Sequence, residues 1–175
     1  MTHLRTGITL LLLLLGSSLL LAQKTPKVAA KDFNALIGSW QGSLTYLDYS
    51  SGKPYTMPAN VAVKRIGKTN SFIFSNSYPD EMSANSADTL HLSADGQFIG
   101  TARVKSRTKL ANGTLEIVTE EAGLDGNDDQ PATLRLIYSI SPSTFVMRKE
   151  VQFTGTTNWI KRHEYVYKKN EIARK

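Results

Sequence analysis

The residue whose charge fits its surroundings least is Lys149. It is in phase with the apolar residues Phe145, Met147, Val151 and Phe153, which alternate with polar residues along one segment. A buried ammonium is costly unless it is paired. One hypothesis is therefore that Lys149 and a nearby tyrosine anchor the carboxylate or phosphate head of an amphiphilic ligand. The alternative, which we favour, is a β-bulge or a barrel rim that places Lys149 in water.

Histidine is the second residue type with binding chemistry. His163 is in phase with Tyr165 and Tyr167, so its imidazole is expected to face the protein interior. An imidazole there is the kind of ligand that haem iron takes. A lone histidine without a companion motif favours an ordinary hydrogen-bonded side chain, so we predict no cofactor and rank haem below that. His91 lies out of phase with its apolar neighbours and is expected in solvent.

Acidic residues cluster within 125–129, where three aspartates and an asparagine bring oxygen ligands together. The spacing and the final glutamate of an EF-hand are missing, so we expect a solvated hairpin tip. Glu120 and Glu121 are adjacent and would point to opposite faces of a strand. The sequence has no cysteine, no nucleophile elbow, no phosphate-binding glycine loop and no dinucleotide fingerprint. It predicts no catalytic residues, no metal site and no enzyme.

These residues lie on segments in which apolar and polar side chains alternate, the pattern of half-buried antiparallel strands. Before them, Phe33, Leu36 and Ile37 have helical spacing and predict one short helix over 30–37 that Gly38 ends. Asp-Gly at 95–96 and Asn-Gly at 112–113 are typical of hairpin turns. We predict about nine strands, around residues 40–46, 57–63, 72–74, 90–92, 98–104, 115–118, 134–140, 145–153 and 159–167.

A meander of this kind favours an all-β, antiparallel up-and-down barrel, because closure removes the exposed sheet edges. A sandwich of two sheets is the second possibility, since both architectures show the same alternation.

Gly38-Ser39-Trp40, directly after the predicted helix, resembles the Gly-x-Trp motif at the start of a lipocalin-like, or calycin, barrel. The resemblance extends over the strand order and length of the chain after the export signal, and its ending resembles secreted bacterial domains of this type. It implies that Trp40 plugs the closed end of the barrel and that a basic residue of the last strand, Arg162, packs across its ring. It also implies that Phe33, Leu36 and Ile37 cap the barrel floor. Many lipocalins contain disulfides, which this chain cannot form.

A barrel of this size can enclose one small ligand or be filled by its own side chains, and the sequence leaves both open. The first alternative predicts an exported protein that binds a small apolar or amphiphilic molecule. The second predicts a structural or interaction module of the cell envelope with a filled core. The candidate cavity-lining residues are Tyr46, Phe72, Phe74, Tyr138, Phe145, Met147, Lys149, His163, Tyr165 and Tyr167.

The first 22 residues have the three parts of a cleavable export signal: a basic start, an apolar run and a small residue, Ala22. We expect cleavage near Ala22, a periplasmic or extracellular location, and membrane contact only during export. A linker over 23–29, a barrel domain over 30–170 and a basic tail over 171–175 would follow. The formal net charge of +6 is densest at the C-terminus, from Lys168 onwards, which favours a solvated end. We expect no nucleic-acid partner.

Overall fold

The computed structural model describes residues 25–48 and 51–170. The predicted export signal and the 171–175 tail lie outside them. Within the described residues, α1 (Ala30–Phe33) is the α-helix, and 3₁₀ turns span Asn34–Leu36 and Met82–Ala84. The strands are β1 (Gly38–Asp48), β2 (Lys53–Arg65), β3 (Ser71–Ser77), β4 (Ser86–His91), β5 (Phe98–Ile99), β6 (Ala102–Lys109), β7 (Leu115–Asp125), β8 (Gln130–Ile140), β9 (Thr144–Phe153) and β10 (Ile160–Lys169).

All of these strands form one antiparallel sheet in the order β4-β3-β2-β1-β10-β9-β8-β7-β6-β5. The first and last strands of the chain pair along most of their length, from Trp40 opposite Lys169 to Tyr46 opposite His163. The sheet edges, β4 and β5, meet at one end through the bridge between Leu92 and Ile99. The fold is therefore a nearly closed antiparallel β-barrel, as predicted.

The described residues form ten strands where about nine were predicted, because the segment around 98–104 is two strands. The chain turns at Gly100 and Thr101, so that β5 pairs with β6 in a tight hairpin. Gly100 has φ +60°, a conformation that glycine adopts without steric cost. Its N–H donates to the carbonyl of His91 at 2.7 Å, which ties this turn to the end of β4.

The predicted helix over 30–37 is shorter than expected. α1 ends at Phe33, a single 3₁₀ turn follows, and Gly38 is the first residue of β1 rather than a helix end. Phe33 and Leu36 are fully buried under the barrel, as the resemblance implies, but Ile37 is 41% exposed. Its predicted place in the floor is wrong, because the 3₁₀ turn and the extended backbone at Ile37 break the helical spacing that would bring it to the same face.

Aromatic side chains fill the end of the barrel that α1 covers. Phe33 packs against Phe72 and Tyr138, each with a ring centroid 5.8 Å away. Trp40 is 1% exposed, and its indole N–H donates to the carbonyl of Leu36 at 2.7 Å. The predicted plug role of Trp40 fits this placement, since its ring and its polar atom are both engaged at the closed end.

The cation over Trp40 is Lys169, and the assignment of this position to Arg162 is wrong. The Lys169 ammonium lies 5.1 Å from the indole centroid and donates to the Ala35 carbonyl at 3.1 Å. In an antiparallel pair the start of β1 meets the end of β10, so only a residue near the end of β10 reaches Trp40. Lys169 therefore belongs to the closed end rather than to a solvated terminus.

An ion pair fastens α1 to the barrel wall. Asp32 accepts hydrogen bonds from Arg107 at 2.7 and 2.9 Å and from the Ala29 backbone N–H at 2.9 Å. Burial raises the pKa of Asp32, but these hydrogen bonds and the arginine charge outweigh burial and hold that pKa below its usual value. Val28, in the segment predicted to be a linker, is buried and bonded to Gly96, so this segment packs on the barrel.

Candidate ligand site in the open half of the barrel

The inward-facing side chains differ in burial along the barrel axis. At the end that α1 covers, the closed half, Phe145 and Tyr167 are 0% and 1% exposed. Towards the opposite end, where β1 meets β2 and β7 meets β8, several inward-facing residues are only half-buried, although Val151 and Ala132 are buried. Met147, Lys149 and Tyr165 are examples of this open half. The barrel is therefore filled at one end and accessible to solvent at the other.

A cleft of about 240 Å³ enters the interior between β4 and β5, where the sheet edges separate. Its apolar atoms come from both edges and from the far wall, so a molecule in the cleft would touch the barrel interior directly. Asn76 and Asp88 lie on one side, hydrogen-bonded to each other at 3.0 Å. The apolar lining residues are Phe74, Leu90, Ile99, Tyr138 and Met147.

Two tyrosine hydroxyls face each other close to this cleft. The hydroxyls of Tyr78 and Tyr165 are 2.9 Å apart, and Tyr165 pairs across strands with Met147 of the cleft lining. Burial, the hydrogen bond to Tyr78 and the negative charge of Asp88 all raise the pKa of Tyr165. Both a donor and an acceptor are therefore present beside an otherwise apolar surface.

A charged cluster of Asp125, Lys149 and Arg162 lies further towards the open end. Lys149 Nζ donates to Asp125 Oδ2 at 2.9 Å, and Arg162 Nε lies 2.8 Å from Asp125 Oδ1. The three side chains are 26%, 10% and 6% exposed for Lys149, Arg162 and Asp125, respectively. Burial alone would raise the pKa of Asp125. The hydrogen bond and charge of Lys149, together with the charge of Arg162, outweigh burial and hold that pKa below its usual value. The cluster therefore holds a carboxylate with two cations on three different strands.

The outcome for Lys149 differs from the favoured prediction, since its ammonium is paired with Asp125 rather than placed in open water. A β-bulge is present, but it lies in the neighbouring strand β10, between Lys161 and His163. Arg162 occupies that bulge, and its guanidinium also lies 5.4 Å from the Phe153 ring. The extra residue turns Arg162 towards Asp125, which regular alternation along β10 does not predict.

Asp125 was missed by sequence reasoning, which placed it in a solvated hairpin tip. β7 continues to Asp125 and β8 begins at Gln130, so the turn is shorter than the acidic run suggests. Asp125 is in phase with the inward-facing Ile117 and Thr119. That phase was the available signal, and it predicts an inward carboxylate once the strand predicted around 115–118 is extended to residue 125.

His163 faces inward beside this cluster, directly opposite Lys149 on the paired strands. Its ring meets that of Tyr165 edge-on at 5.6 Å. Burial, and then the charge of Lys149, lower the pKa of His163 to about 4, although Asp125 opposes the shift. The imidazole is therefore neutral at neutral pH and supplies one donor and one acceptor.

The other candidate lining residues divide between the two halves. Phe72, Phe145 and Tyr167 belong to the packed closed half and do not line the cleft. Tyr46 lies at the rim of the open half, with its ring 5.6 Å from that of Tyr55. The residues that the structure brings together around the accessible interior are Phe74, Tyr138, Met147, Lys149, His163 and Tyr165.

Among the described residues, no group of three or more histidine, aspartate or glutamate side chains has the geometry to hold a metal ion. None of the helices in that part of the chain is long and apolar enough to cross a membrane.

No family model and no curated protein matches the sequence. Among solved structures, the crystal structure of Rv2717c from M. tuberculosis is similar, with 13% sequence identity and a TM-score of 0.48. The similarity covers 82% of this chain and 98% of that chain. It gives no indication of a ligand or an activity, so the lipocalin-like assignment stays a prediction and the barrel itself rests on the pairing of the strands.

Proposed function

We propose that this protein binds a small apolar or amphiphilic molecule in the open half of the barrel. The observation that carries the proposal is the partial exposure of inward-facing side chains such as Met147 and Tyr165. A barrel filled throughout would bury these side chains as completely as Phe145 and Tyr167. The interior therefore has room for a ligand beside them.

The cleft supports a ligand with an apolar part. Its volume of about 240 Å³ is somewhat below the ~300–1,000 Å³ of typical small-molecule pockets. A ligand of that class would therefore place one part in the cleft and extend another into the open half. Burying apolar surface there contributes roughly 25 cal/mol per Å² before the costs of ordering the ligand.

Location and chemistry complete the proposal. The predicted export signal over residues 1–22 supports a periplasmic or extracellular location. We assign it no catalytic role, because the Asp125 carboxylate is already engaged by both Lys149 and Arg162. The competing candidate is an interaction module without a ligand, which the packed closed half favours.

Filling the cleft tests the proposal. Met147→Trp adds a ring where the cleft reaches the far wall, and Leu90→Trp adds one from β4. We expect each to weaken binding of N-phenyl-1-naphthylamine, an uncharged fluorescent probe, by about tenfold or more, because the added ring occupies the ligand's volume. Titration of probe fluorescence against the mature protein measures the effect.

The matched control is Val146→Trp, which adds the same ring to the outer surface one residue away. It should bind the probe like the wild type, and circular dichroism should show all three variants folded. If the wild type binds no probe, or if the inward and outward variants bind it equally, the protein has no ligand site in the barrel and the interaction module is favoured.

A further inference from the structure

We propose that the cleft between β4 and β5 selects a ligand with a cationic head, a protonated primary amine joined to an apolar tail. The carboxylates of Asp88 and Glu121 would face the ammonium group, and the Tyr138 hydroxyl would accept one of its hydrogen bonds. This inference rests on the proposed function, since the head would belong to the molecule that occupies the barrel interior.

Asp88 gives the cleft its charge. Of the described residues that line the cleft, Asp88 alone is charged, and no lysine or arginine is among them. Its carboxylate accepts hydrogen bonds from Asn76 at 3.0 Å and from Ser86 at 3.2 Å, both at Oδ2. These donors are neutral, so the carboxylate remains a negative charge at the side of the cleft.

Glu121 places a second carboxylate beside the turn between β5 and β6. It shares the inward face of β7 with the buried Thr119 and accepts a hydrogen bond from the Thr101 hydroxyl. Thr101 directly follows Gly100, which lines the cleft. No lysine or arginine of the described residues forms an ion pair with Glu121 or with Asp88.

The charges of both carboxylates reach tyrosine hydroxyls at the cleft. Burial is the main cause that raises the pKa of Tyr138, and the negative charge of Glu121 raises it further. At Tyr165, burial and the hydrogen bond to Tyr78 raise the pKa, and the charge of Asp88 adds to them. A negative potential that disfavours a phenolate also disfavours an anionic ligand and favours a cationic one.

Tyr138 is an independent sign of a ligand with a hydrogen-bond donor. It is 3% exposed and lines the cleft, yet its hydroxyl makes no hydrogen bond with any of the described residues. Buried hydroxyl groups in proteins nearly always have a hydrogen-bond partner. A phenolic oxygen can accept a hydrogen bond, so an ammonium N–H in the cleft would supply the missing partner.

The rest of the lining suits both parts of such a molecule. Phe74 and Tyr138 are aromatic, and the faces of aromatic rings attract a nearby cation. Leu90, Ile99 and Met147 provide apolar surface for the tail.

The nearest interior cations lie outside the cleft. Lys149 and Arg162 are further towards the open end, and both contact Asp125. An anion in the cleft would therefore meet carboxylates without an adjacent cation, the opposite of the anionic head that Lys149 suggested from the sequence. We expect the order of affinity to be amine, then alcohol, then carboxylate.

The test is displacement of N-phenyl-1-naphthylamine by decylamine, decanol and decanoate at pH 7 and low salt, below their micelle concentrations. We expect decylamine to bind wild-type protein about fivefold or more tighter than decanol, because charge-assisted hydrogen bonds add to the same apolar contact. Decanoate should bind more weakly than decanol. Asp88→Asn combined with Glu121→Gln should remove most of the advantage of decylamine over decanol.

Glu116→Gln is the matched control, because it neutralises a carboxylate of the same strand that alternates with the buried Ile117 and therefore points outward. It should preserve the preference for decylamine. Because Asp88 is exposed on an edge strand, Asp88→Asn alone decides the inference if the double variant does not fold.

Three results would overturn the inference while the ligand site stands: equal binding of decylamine and decanol, tighter binding of decanoate than of decylamine, or a decylamine advantage that survives both substitutions. A wild-type protein that does not bind the probe would overturn the proposed function instead.

Discussion

At the scale of single residues, the burial of His163 makes the stability of the protein depend on pH. The unfolded chain takes up a proton on this imidazole near pH 6.5, whereas burial delays protonation of the folded protein to about pH 4. Because the folded pKa is depressed, stability falls as the pH drops through this interval. The free energy of unfolding of the wild type should therefore fall between pH 7 and pH 4.5. In His163→Gln this fall should be smaller by roughly 2 kcal/mol, as measured by urea denaturation.

His91→Gln provides the comparison, since it removes an exposed imidazole and leaves the barrel interior unaltered. Asp32 and Asp125 also stabilise the folded protein, because their pKa values are lowered in it. This stabilisation is lost only as the pH falls below the usual carboxyl range, and both variants retain it. A fall of the same size in wild type and His163→Gln would show that burial does not control the protonation of His163.

Sequence reasoning at this scale identified one member of the charged cluster and missed its partner. Lys149 stood out because a cation interrupts an apolar face. Asp125 did not, because neighbouring acidic residues made it resemble part of an exposed turn. Arg162 was placed on the wrong aromatic ring, since alternation cannot reveal a bulge that changes the direction of one side chain.

At the scale of elements, Gly42 sets how closely β1 and β10 approach. A Cβ at this position would overlap the Val166 carbonyl oxygen and lie 2.8 Å from Tyr167 Cα. Both atoms are backbone, so the two strands would have to separate where they close the barrel. Gly42→Ala should therefore lower the free energy of unfolding by roughly 3 kcal/mol or more, measured by urea denaturation.

Gly123→Ala is the matched control on β7. There a Cβ would meet only the side chain of Leu134, at 2.6 Å, and a leucine can change its rotamer. We expect the free energy of unfolding to fall by about 1 kcal/mol or less. Equal losses for the two variants would mean that the close approach of β1 and β10 does not limit the barrel.

The errors at element boundaries have local causes. The strands themselves follow from alternation, which persists through β7, β8 and β9. The break between β5 and β6 depends on the backbone of Gly100, and the loss of Ile37 from the floor depends on a 3₁₀ turn. The choice of Lys169 over Arg162 needed the register of β1 on β10, which joins opposite ends of the chain.

At the scale of the whole molecule, the barrel has two different ends. The closed end is packed by aromatic rings and fastened by the Asp32–Arg107 ion pair, whereas the open end holds charged and hydroxyl groups around accessible space. Alternation predicted the strands and helical spacing predicted the short helix, but neither pattern could separate a barrel from a sandwich, or a filled interior from a cavity. Both depend on long-range pairing and on how well side chains fill the enclosed volume.

The central claim is that the open half holds a small ligand, and native mass spectrometry of the mature protein from its own export pathway tests it most directly. We expect a reproducible non-covalent adduct that denaturing extraction releases as a single class of small molecule, and a Soret band in that material would identify the ligand as haem. A protein that stays bare after incubation with lipids and with haem would contradict the claim and favour the module without a ligand.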